Sequence, residues 1–323
     1  MRSQWSSRFW RILACCAAVV LLVSACAEEA QDDFPAETID AVPEESGDQA
    51  KDPGCDESNP TASLRPAEAI LESTAPEIEQ IRADGKLRVG VPEDTLLFGF
   101  PDQAGELQGF DVEIAGLVAD ALGVELDLVP VQTSERIPKL ESEEVEMVVK
   151  TMTISCERWA QINFSTVYFD AEQKILVRKG SDVVNIEDFE SDGENKPRVC
   201  AESGSTSIKN IGEFANVEAV AVGSIAQCLV LFQQGSVEAI STDDAILAGL
   251  AAQDPFAVVG GDGISDEPYG IGIKAGNDEF TQFVNEVLEQ ARVSGAWDAA
   301  YNEHLKEVLT PDTDVVAPVP SYR

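Results

Sequence analysis

The sequence is poor in the side chains on which most metal sites and many hydrolases depend. Among its 323 residues there is one histidine, His304, and its seven cysteines include no CxxC spacing. Zinc sites draw on such residues as ligands, and most serine or cysteine nucleophiles need histidine as their base. We therefore expect no metal site and no cofactor, and we do not expect an enzyme.

Basic residues are also scarce, with 22 Lys and Arg against 59 Asp and Glu, which gives a formal net charge of −37. A chain this acidic repels nucleic acid and anionic lipid, so neither is expected as a general partner. A local group of cations must then serve a local purpose. That makes Arg136, Lys150 and Arg158 candidates for binding an anionic group.

The apolar run at residues 12–23 follows three arginines and is too short to span a bilayer comfortably, but it suits a secretory signal. It ends in Val23-Ser24-Ala25-Cys26, which resembles a bacterial lipobox. We expect residues 1–25 to be a lipoprotein signal peptide and Cys26 to be lipidated. An ordinary signal-peptidase site beside an incidental cysteine is the alternative.

Residues 26–62 are rich in Asp, Glu, Pro, Gly and Ser, with few large apolar side chains. Such a segment cannot offset its ordering entropy by burial. The sequence thus predicts an acidic tether that holds an extracytoplasmic domain at the cell membrane. Stable anchoring requires more than one acyl chain, since a single chain binds a bilayer only marginally.

Four cysteines remain after the lipobox, an even number in an exported chain, which indicates two disulfides. Three pairings are possible at this stage. The four residues are Cys55, Cys156, Cys200 and Cys228.

The central stretch VEMVVKTMTISCER, beginning at Val145, joins a short buried-strand pattern to a polar loop. Thr151, Thr153 and Arg158 follow the strand. In open α/β sheets, ligands bind beyond the carboxyl ends of the strands. The loop is therefore a candidate binding loop.

Alternating strand and helix patterns recur in two series, the second starting at Pro197, which predicts a two-lobed α/β protein. Segments 173–179 and 269–274 are the candidate crossovers between the lobes. Residues 136–151 and 228–243 form a weak internal repeat, although similar secondary structure alone would also produce it. The predicted division is residues 63–178 with 272–310 for lobe 1, 179–271 for lobe 2, and 311–323 for a flexible tail.

If the repeat is structural, the loop ending in Arg158 faces the loop that starts at Thr242. A free α-amino acid needs a guanidinium for its carboxylate and a carboxylate for its ammonium, and Arg158 and Asp243 fit those roles. The Ser205-Thr206 turn at a helix N-terminus would favour a negative group. Each residue also has a plainer alternative, since Arg158 can form a surface ion pair with Glu157 and Asp243 can be an N-cap.

At these residues the sequence resembles the family 3 solute-binding proteins of ABC transporters, particularly actinobacterial glutamine/glutamate-binding lipoproteins. The resemblance spans roughly residues 55–309. It rests on these segments, in chain order: GKLRVGV, LQGFDVEIAGLVADALG, ERIPKL, VVKTMTISCER, INFSTVYF, VCAESGSTS, CLVLFQQG, AISTDDAILAGL and EPYGIGI.

The resemblance implies a periplasmic-binding-protein fold in which each lobe is a doubly wound mixed sheet flanked by helices, and two crossover segments form the hinge. It assigns the ligand α-carboxylate to Arg158 with Thr151 and Thr153, and the α-ammonium to Asp243. Arg136 would meet the ligand side chain, and the turn with Ser205 and Thr206 would contribute from the other lobe.

Two departures from the family pattern bear on specificity. Glu202 stands where some glutamine binders have lysine, and Lys150 stands where many relatives have a small residue. Lys150 adds attraction for an acidic side chain, which favours glutamate or aspartate, with glutamine or asparagine close behind.

The resemblance also implies that Cys200 pairs with Cys228, and Cys55 with Cys156. It implies a monomeric receptor that closes around one amino acid and presents it to an ABC permease. A sensor that reports amino-acid supply to a membrane signalling partner is the alternative. A third possibility, an exported enzyme on this scaffold, would have Glu202 as its only oddly placed acid or base.

Overall fold

The computed structural model describes residues 55–193 and 195–323. The predicted signal peptide, Cys26 and most of the predicted tether lie outside these residues. Within them, the strands are β1 (Lys86–Val91), β2 (Phe100–Pro101), β3 (Leu107–Gln108), β4 (Glu125–Pro130), β5 (Met147–Val148), β6 (Ile162–Phe164), β7 (Phe169–Arg178), β8 (Arg198–Glu202), β9 (Glu218–Val222), β10 (Ala239–Asp243), β11 (Ala257–Tyr269) and β12 (Gly272–Lys274).

Helices flank the sheets formed by these strands. They are α1 (Pro76–Asp84), α2 (Phe110–Leu122), α3 (Arg136–Glu141), α4 (Cys156–Trp159), α5 (Thr206–Ile211), α6 (Ile225–Gln234), α7 (Asp244–Gln253), α8 (Asp278–Ser294), α9 (Ala296–His304) and α10 (Lys306–Leu309), with short 3-10 turns at Ile70–Glu72, Thr133–Glu135 and Ile186–Asp188.

The two large sheets have the same construction. The first has the order β4-β1-β5-β12-β6 and the second, read from its far edge, β9-β8-β10-β7-β11. In each, the first three strands are parallel and the last two pairings are antiparallel. The internal repeat is therefore structural, because β5 and β10 hold equivalent central positions. The fold is the predicted two-lobed α/β fold.

The helix boundaries follow from local sequence. Helix α2 ends at Gly123, whose φ of 74° is a left-handed conformation that glycine adopts without steric cost. Helix α6 begins after Ser224, whose side chain accepts a hydrogen bond from the Gln227 amide, and ends at Gly235 with φ 75°. These signals explain why the element order was readable from sequence.

Two adjacent crossovers connect the lobes. The first leads from β6 into β7, and the second, at residues 270–271, leads from β11 into β12. They are hydrogen-bonded to each other, since the Tyr168 amide donates to the Tyr269 carbonyl at 2.9 Å and the Ser165 amide donates to the Ile271 carbonyl at 2.9 Å. Together they form a two-stranded hinge.

One predicted boundary differs from the structure. Residues 169–178 were assigned to lobe 1, but β7 pairs with β10 and β11 and so belongs to the second sheet. The chain changes lobes just before Phe169, about ten residues earlier than predicted. The reason is that β7 is a long strand, and its sequence pattern does not say with which sheet it pairs.

The core of the hinge is aromatic. Phe98, in the loop after β1, is fully buried and packs edge-on against Phe110, Phe169 and Tyr269. Its ring is therefore part of the hydrophobic core. Aromatic pairs of this kind stabilise by about 0.5–1.5 kcal/mol beyond their area burial.

The C-terminal segment 311–323 was predicted to be flexible, whereas the structure packs it against lobe 1. The Tyr322 hydroxyl donates to Glu289 at 2.6 Å, and Ser63 exchanges backbone hydrogen bonds with this segment. The guanidiniums of Arg65 and Arg323 lie over the rings of Tyr322 and Trp159, respectively. Its proline content suggested a loose tail, but these side chains find partners in lobe 1.

Both disulfides of the structure have the pairing that the resemblance implied. Cys200 at β8 is joined to Cys228 in α6, and both are buried within lobe 2. Cys55 is joined to Cys156, the first residue of α4. The second bond fixes the start of the described chain to the short helix that carries Arg158.

Candidate ligand-binding site

The loops after β5 and β10 meet at one cavity between the lobes, at the carboxyl ends of the central strands. This is the position at which open α/β sheets bind ligands. The cavity is lined by residues of both lobes: Thr133, Arg136, Thr151, Thr153, Arg158, Glu202, Ser205, Thr206, Ser207, Thr242, Asp243 and Ile246.

Arg158 is the principal cation at one end of this cavity. It is only 8% exposed, and its Nη1 donates to the Thr153 carbonyl at 2.6 Å. Glu157 does not hold it, because Glu157 forms its ion pair with Lys209 of lobe 2. Burial lowers the pKa of Arg158, and the charges of Glu267 and Asp243 oppose that shift. The guanidinium therefore belongs to the cleft and not to a surface ion pair.

Asp243 faces Arg158 from lobe 2. It precedes α7 in the N-cap position, but its side chain makes no capping bond and instead accepts a hydrogen bond from the Tyr269 hydroxyl at 2.6 Å. Burial raises the pKa of Asp243 to about 8, and Glu267 adds to that rise. A cation placed beside this carboxyl group would reverse the shift, because an opposite charge favours the ionised form.

Glu267, near the end of β11, was not among the predicted site residues. It is 1% exposed, and its Oε2 accepts hydrogen bonds from the hydroxyls of Thr153 at 2.5 Å and Thr206 at 2.7 Å. Its Oε1 accepts from Ser265 at 2.6 Å. The signal in the sequence was an acid in the quoted EPYGIGI segment, just before a crossover, where a charged residue has little structural reason to be buried.

The bonds to Glu267 fix the direction of both threonine hydroxyls. A hydroxyl has one proton, and an ionised carboxylate can only accept. Thr153 and Thr206 therefore donate to Glu267 and keep lone pairs for any further partner. These hydroxyls suit an ammonium group better than the carboxylate to which sequence analysis assigned Thr153.

Arg136 lies between the two ends of the cavity, and its guanidinium is bound to backbone oxygens. It donates to the carbonyls of Thr133 at 2.9 Å, Lys150 at 3.1 Å, Thr151 at 3.3 Å and Gly204 at 3.3 Å. Burial, followed by repulsion from Arg158, lowers the pKa of Arg136 to about 9. Most of its donors are thus used to hold loops of both lobes in place.

Thr151 has a positive φ of 38°, which is uncommon for a residue with a Cβ. Asp111 holds it there by accepting a hydrogen bond from the Thr151 amide at 2.9 Å and another from the Tyr168 hydroxyl at 2.7 Å. Burial raises the pKa of Asp111 to about 7. Backbone strain of this kind is found at ligand sites, where the surrounding structure must maintain it.

A second charged group contains Glu202, which lines the cavity, and Lys150 and Asp94, which are not among the residues that line it. Glu202 is 7% exposed and accepts a hydrogen bond from the Thr133 hydroxyl at 3.0 Å. Lys150 is 2% exposed and lies 3.8 Å from Asp94, measured from Nζ to Oδ1. Burial raises the pKa of Glu202, Lys150 and Arg136 lower it, and Asp94 raises it further.

Ser205 has a structural task. Its Oγ donates to the Glu202 carbonyl at 2.7 Å and accepts from the Ile208 amide at 3.1 Å, so it caps α5. Its single hydroxyl proton is therefore already used. Thr206 also spends its proton, on Glu267, but unlike Ser205 it accepts no backbone capping bond, so it has more acceptor capacity left for a ligand.

The lobes touch directly across the cleft. Arg136 and Arg158 of lobe 1 both donate to the Gly204 carbonyl of lobe 2, each at 3.3 Å. The remaining cavity measures about 10 Å³, which is close to the minimum for one water molecule. A ligand larger than water therefore enters only when the lobes separate.

The geometry agrees with comparisons to known proteins. Residues 87–307 match the bacterial extracellular solute-binding proteins, family 3. This chain belongs to that family. The match covers both lobes and both crossovers of the described fold.

Among family 3 relatives, the glutamine-binding protein GlnH of a Bacillus subtilis ABC transporter is 36% identical over 245 residues, covering 74% of this chain and 88% of that protein. The glutamate-binding protein GluB of Corynebacterium glutamicum is 28% identical over 238 residues, covering 69% and 80%. A solved structure of an ancestral arginine-binding protein bound to glutamine has a TM-score of 0.64 and 33% identity, and covers 68% of this chain and 97% of that one.

Proposed function

We propose that this protein is a membrane-anchored extracytoplasmic receptor that binds a polar L-amino acid between its lobes for uptake by an ABC transporter. The candidates are glutamate, aspartate, glutamine and asparagine. The observation that carries the proposal is that one buried cavity holds a guanidinium, Arg158 of lobe 1, and a carboxyl group that a ligand cation would ionise, Asp243 of lobe 2. This pair matches the two ends of a zwitterion.

In the proposed complex, the Arg158 guanidinium donates to the α-carboxylate, and the α-ammonium donates to Asp243 and to the lone pairs of Thr153 and Thr206. Each partner comes from an element held rigidly, α4 by its disulfide and Asp243 by Tyr269. A ligand that contacts both lobes has greater affinity for the closed form and so shifts the hinge toward closure. Closure then provides the signal that a permease can recognise.

Membrane attachment through a lipidated Cys26 is part of the proposal. Within residues 55–193 and 195–323, no helix combines the length and apolarity that crossing a bilayer demands. The lipobox-like sequence at residues 23–26 supports an acyl anchor. Metabolic labelling with a radioactive fatty acid should mark the wild-type protein and not the Cys26→Ser variant, and an unlabelled wild-type protein would refute the anchor.

Isothermal titration of the purified protein with the twenty common amino acids tests the binding function. We expect binding by at least one of the four candidates. The Arg158→Ala variant should lose at least about 30-fold in affinity, since truncating one partner of a buried charge pair costs about 2–5 kcal/mol. Binding by none of the four amino acids would overturn the proposal.

Two further variants make the test specific to Arg158. Arg158→Lys keeps the charge but cannot donate in the bidentate manner, so its affinity should lie between those of the wild type and the alanine variant. Arg88→Ala removes a cation that pairs with Glu146 at the far end of β1, and it should leave affinity unchanged. Equal losses in Arg88→Ala and Arg158→Ala would point to a general folding defect.

A further inference from the structure

The charges of the cleft fall into two groups. The charges that raise the pKa of Arg158 are those of Glu267, Asp243 and the neighbouring Glu157. The field at Glu202 comes from Lys150, Asp94 and Arg136. Arg136 lines the same cavity and interacts with Arg158 and Asp243 of the first group and with Glu202 of the second. If the first group holds the α-carbon end of an amino acid, as the proposed function requires, Glu202 is the acid of the second group that lines the cavity beside its side chain.

The side-chain group contains two cations and two acids. Lys150, which sequence analysis took as an attraction for an acidic side chain, has Asp94 at 3.8 Å and feels the charge of Glu202. The Arg136 donors are largely taken by carbonyl oxygens. Within this group the positive charge is already matched, so a further carboxylate would add an uncompensated negative charge in a buried site. Such a charge is strongly unfavourable.

The hydrogen-bonding capacity of this group also disfavours a ligand carboxylate. Within the described chain, Asp94 Oδ2 is buried and has no hydrogen-bond partner, and the Glu202 carboxylate accepts one bond, from Thr133. These atoms accept and do not donate. A carboxamide has two N–H donors for them and one oxygen acceptor for Lys150, whereas a ligand carboxylate has acceptors only.

We infer that Asp94 and Glu202 are specificity determinants that make the pocket select a carboxamide side chain, that of glutamine or asparagine, over the corresponding acid. The two acids come from opposite lobes, Asp94 from the loop after β1 and Glu202 from the end of β8. Glu202 lines the cavity and Asp94 lies 3.8 Å from Lys150, so the two acids come near each other only when the lobes close. This selectivity for a carboxamide presupposes the proposed binding function, but it concerns only the side-chain end of the ligand.

The test uses Glu202→Gln and the double variant Asp94→Asn/Glu202→Gln. Both changes keep the side-chain size and leave an oxygen to accept from Thr133 or Thr95, so the fold should persist. Glu213→Gln, on the exposed surface of the same lobe, is the matched control because it removes the same charge from a residue that does not line the cavity. Each protein is titrated with L-glutamine, L-glutamate, L-asparagine and L-aspartate.

We expect wild type and control to bind the amide of the tighter pair at least tenfold more tightly than its acid. Glu202→Gln should raise affinity for the acid at least tenfold and change affinity for the amide less than threefold, and the double variant should reverse the preference. A wild-type preference for the acid, or an equal change for acid and amide in Glu202→Gln, would overturn the inference while leaving amino-acid binding intact. Absence of binding by all four in the wild type would overturn the proposed function itself.

Discussion

At Asp243, burial opposes ionisation of the side chain. Its carboxyl group is removed from water and lies near Glu267, so its pKa of about 8 places it mostly in the neutral form at pH 7. The proposed ligand ammonium requires the ionised form. Binding should therefore release a proton.

The pH dependence has a definite sign. The proton is bound in the ligand-free closed form below pH 8 and lost in the complex, so affinity should fall as pH is lowered, by up to about tenfold per unit. Titration in buffers of different ionisation enthalpy should show nearly one proton released at pH 7 and almost none above pH 9. Asp170→Asn, which removes another acid of raised pKa outside this cavity, should keep the release. A proton count of zero at pH 7 would contradict this account.

Arg158 and Asp243 could be predicted to share a cavity, because Arg158 comes after the central strand β5 and Asp243 ends the central strand β10. Glu267 and Asp94 could not, for a physical reason. Their roles depend on partners from distant strands, and no local pattern shows that Thr153, Thr206 and Glu267 converge. The direction of a hydroxyl bond likewise follows from that convergence and not from the threonine itself.

At the scale of elements, helix α7 of lobe 2 approaches the loop after β1 closely at Leu96. Gly249 in this helix is closely packed, because a Cβ atom added there would lie 3.0 Å from the Leu96 carbonyl oxygen of lobe 1. Gly116 in α2 is also mid-helix, and a Cβ there would meet nothing within 4 Å. The two glycines form a matched pair.

Gly116→Ala should stabilise the protein by up to about 1 kcal/mol through helix propensity and leave affinity unchanged. Gly249→Ala gains the same propensity, but its methyl group presses on Leu96 when the lobes close. We expect its affinity to fall about three- to tenfold, because the closed form alone is disfavoured. Thermal melting and titration calorimetry measure the two effects, and equal affinity in both variants would show that Leu96 moves aside.

The elements themselves were largely predictable, because caps such as Ser224 and stops such as Gly123 are local. The lobe to which a strand belongs was not. β7 was assigned to lobe 1, whereas its register with β10 and β11 places it in lobe 2. Strand pairing is decided by the whole sheet, and a sequence pattern of period two says which faces are buried and not which neighbour is bonded.

At the scale of the molecule, the family match ends at residue 307, but the ordered structure continues to the C-terminus. Val315 and Ala317 pack against the core, and Tyr322 and Arg323 contact lobe 1. The composition of the segment alone suggested a loose tail. The contacts of this segment depend on where α9 and α10 place its first residues, and its composition does not show that.

Removing residues 311–323 should destabilise the protein by at least about 2 kcal/mol. The segment makes the Tyr322–Glu289 hydrogen bond and two backbone hydrogen bonds with Ser63, about 1 kcal/mol each, and two cation–π contacts of about 0.5–1 kcal/mol each, and the entropy that the chain regains offsets part of their loss. At about 2.1 cal/mol/K of unfolding entropy per residue and about 270 folded residues, a loss of about 2 kcal/mol corresponds to a fall in Tm of about 3–4 °C. Tyr322→Phe removes only the bond to Glu289 and should cost about half as much. Rapid trimming of the wild-type protein by carboxypeptidase back to residue 311 would contradict the packed segment.

The disulfide between Cys55 and Cys156 has a mechanical consequence. Tension along the chain from residues before 55 passes through this bond into the first turn of α4, two residues from Arg158. The C-terminal residues also end on lobe 1, beside Trp159. Lobe 1 therefore carries the load, and lobe 2 moves on the two short crossovers without carrying it.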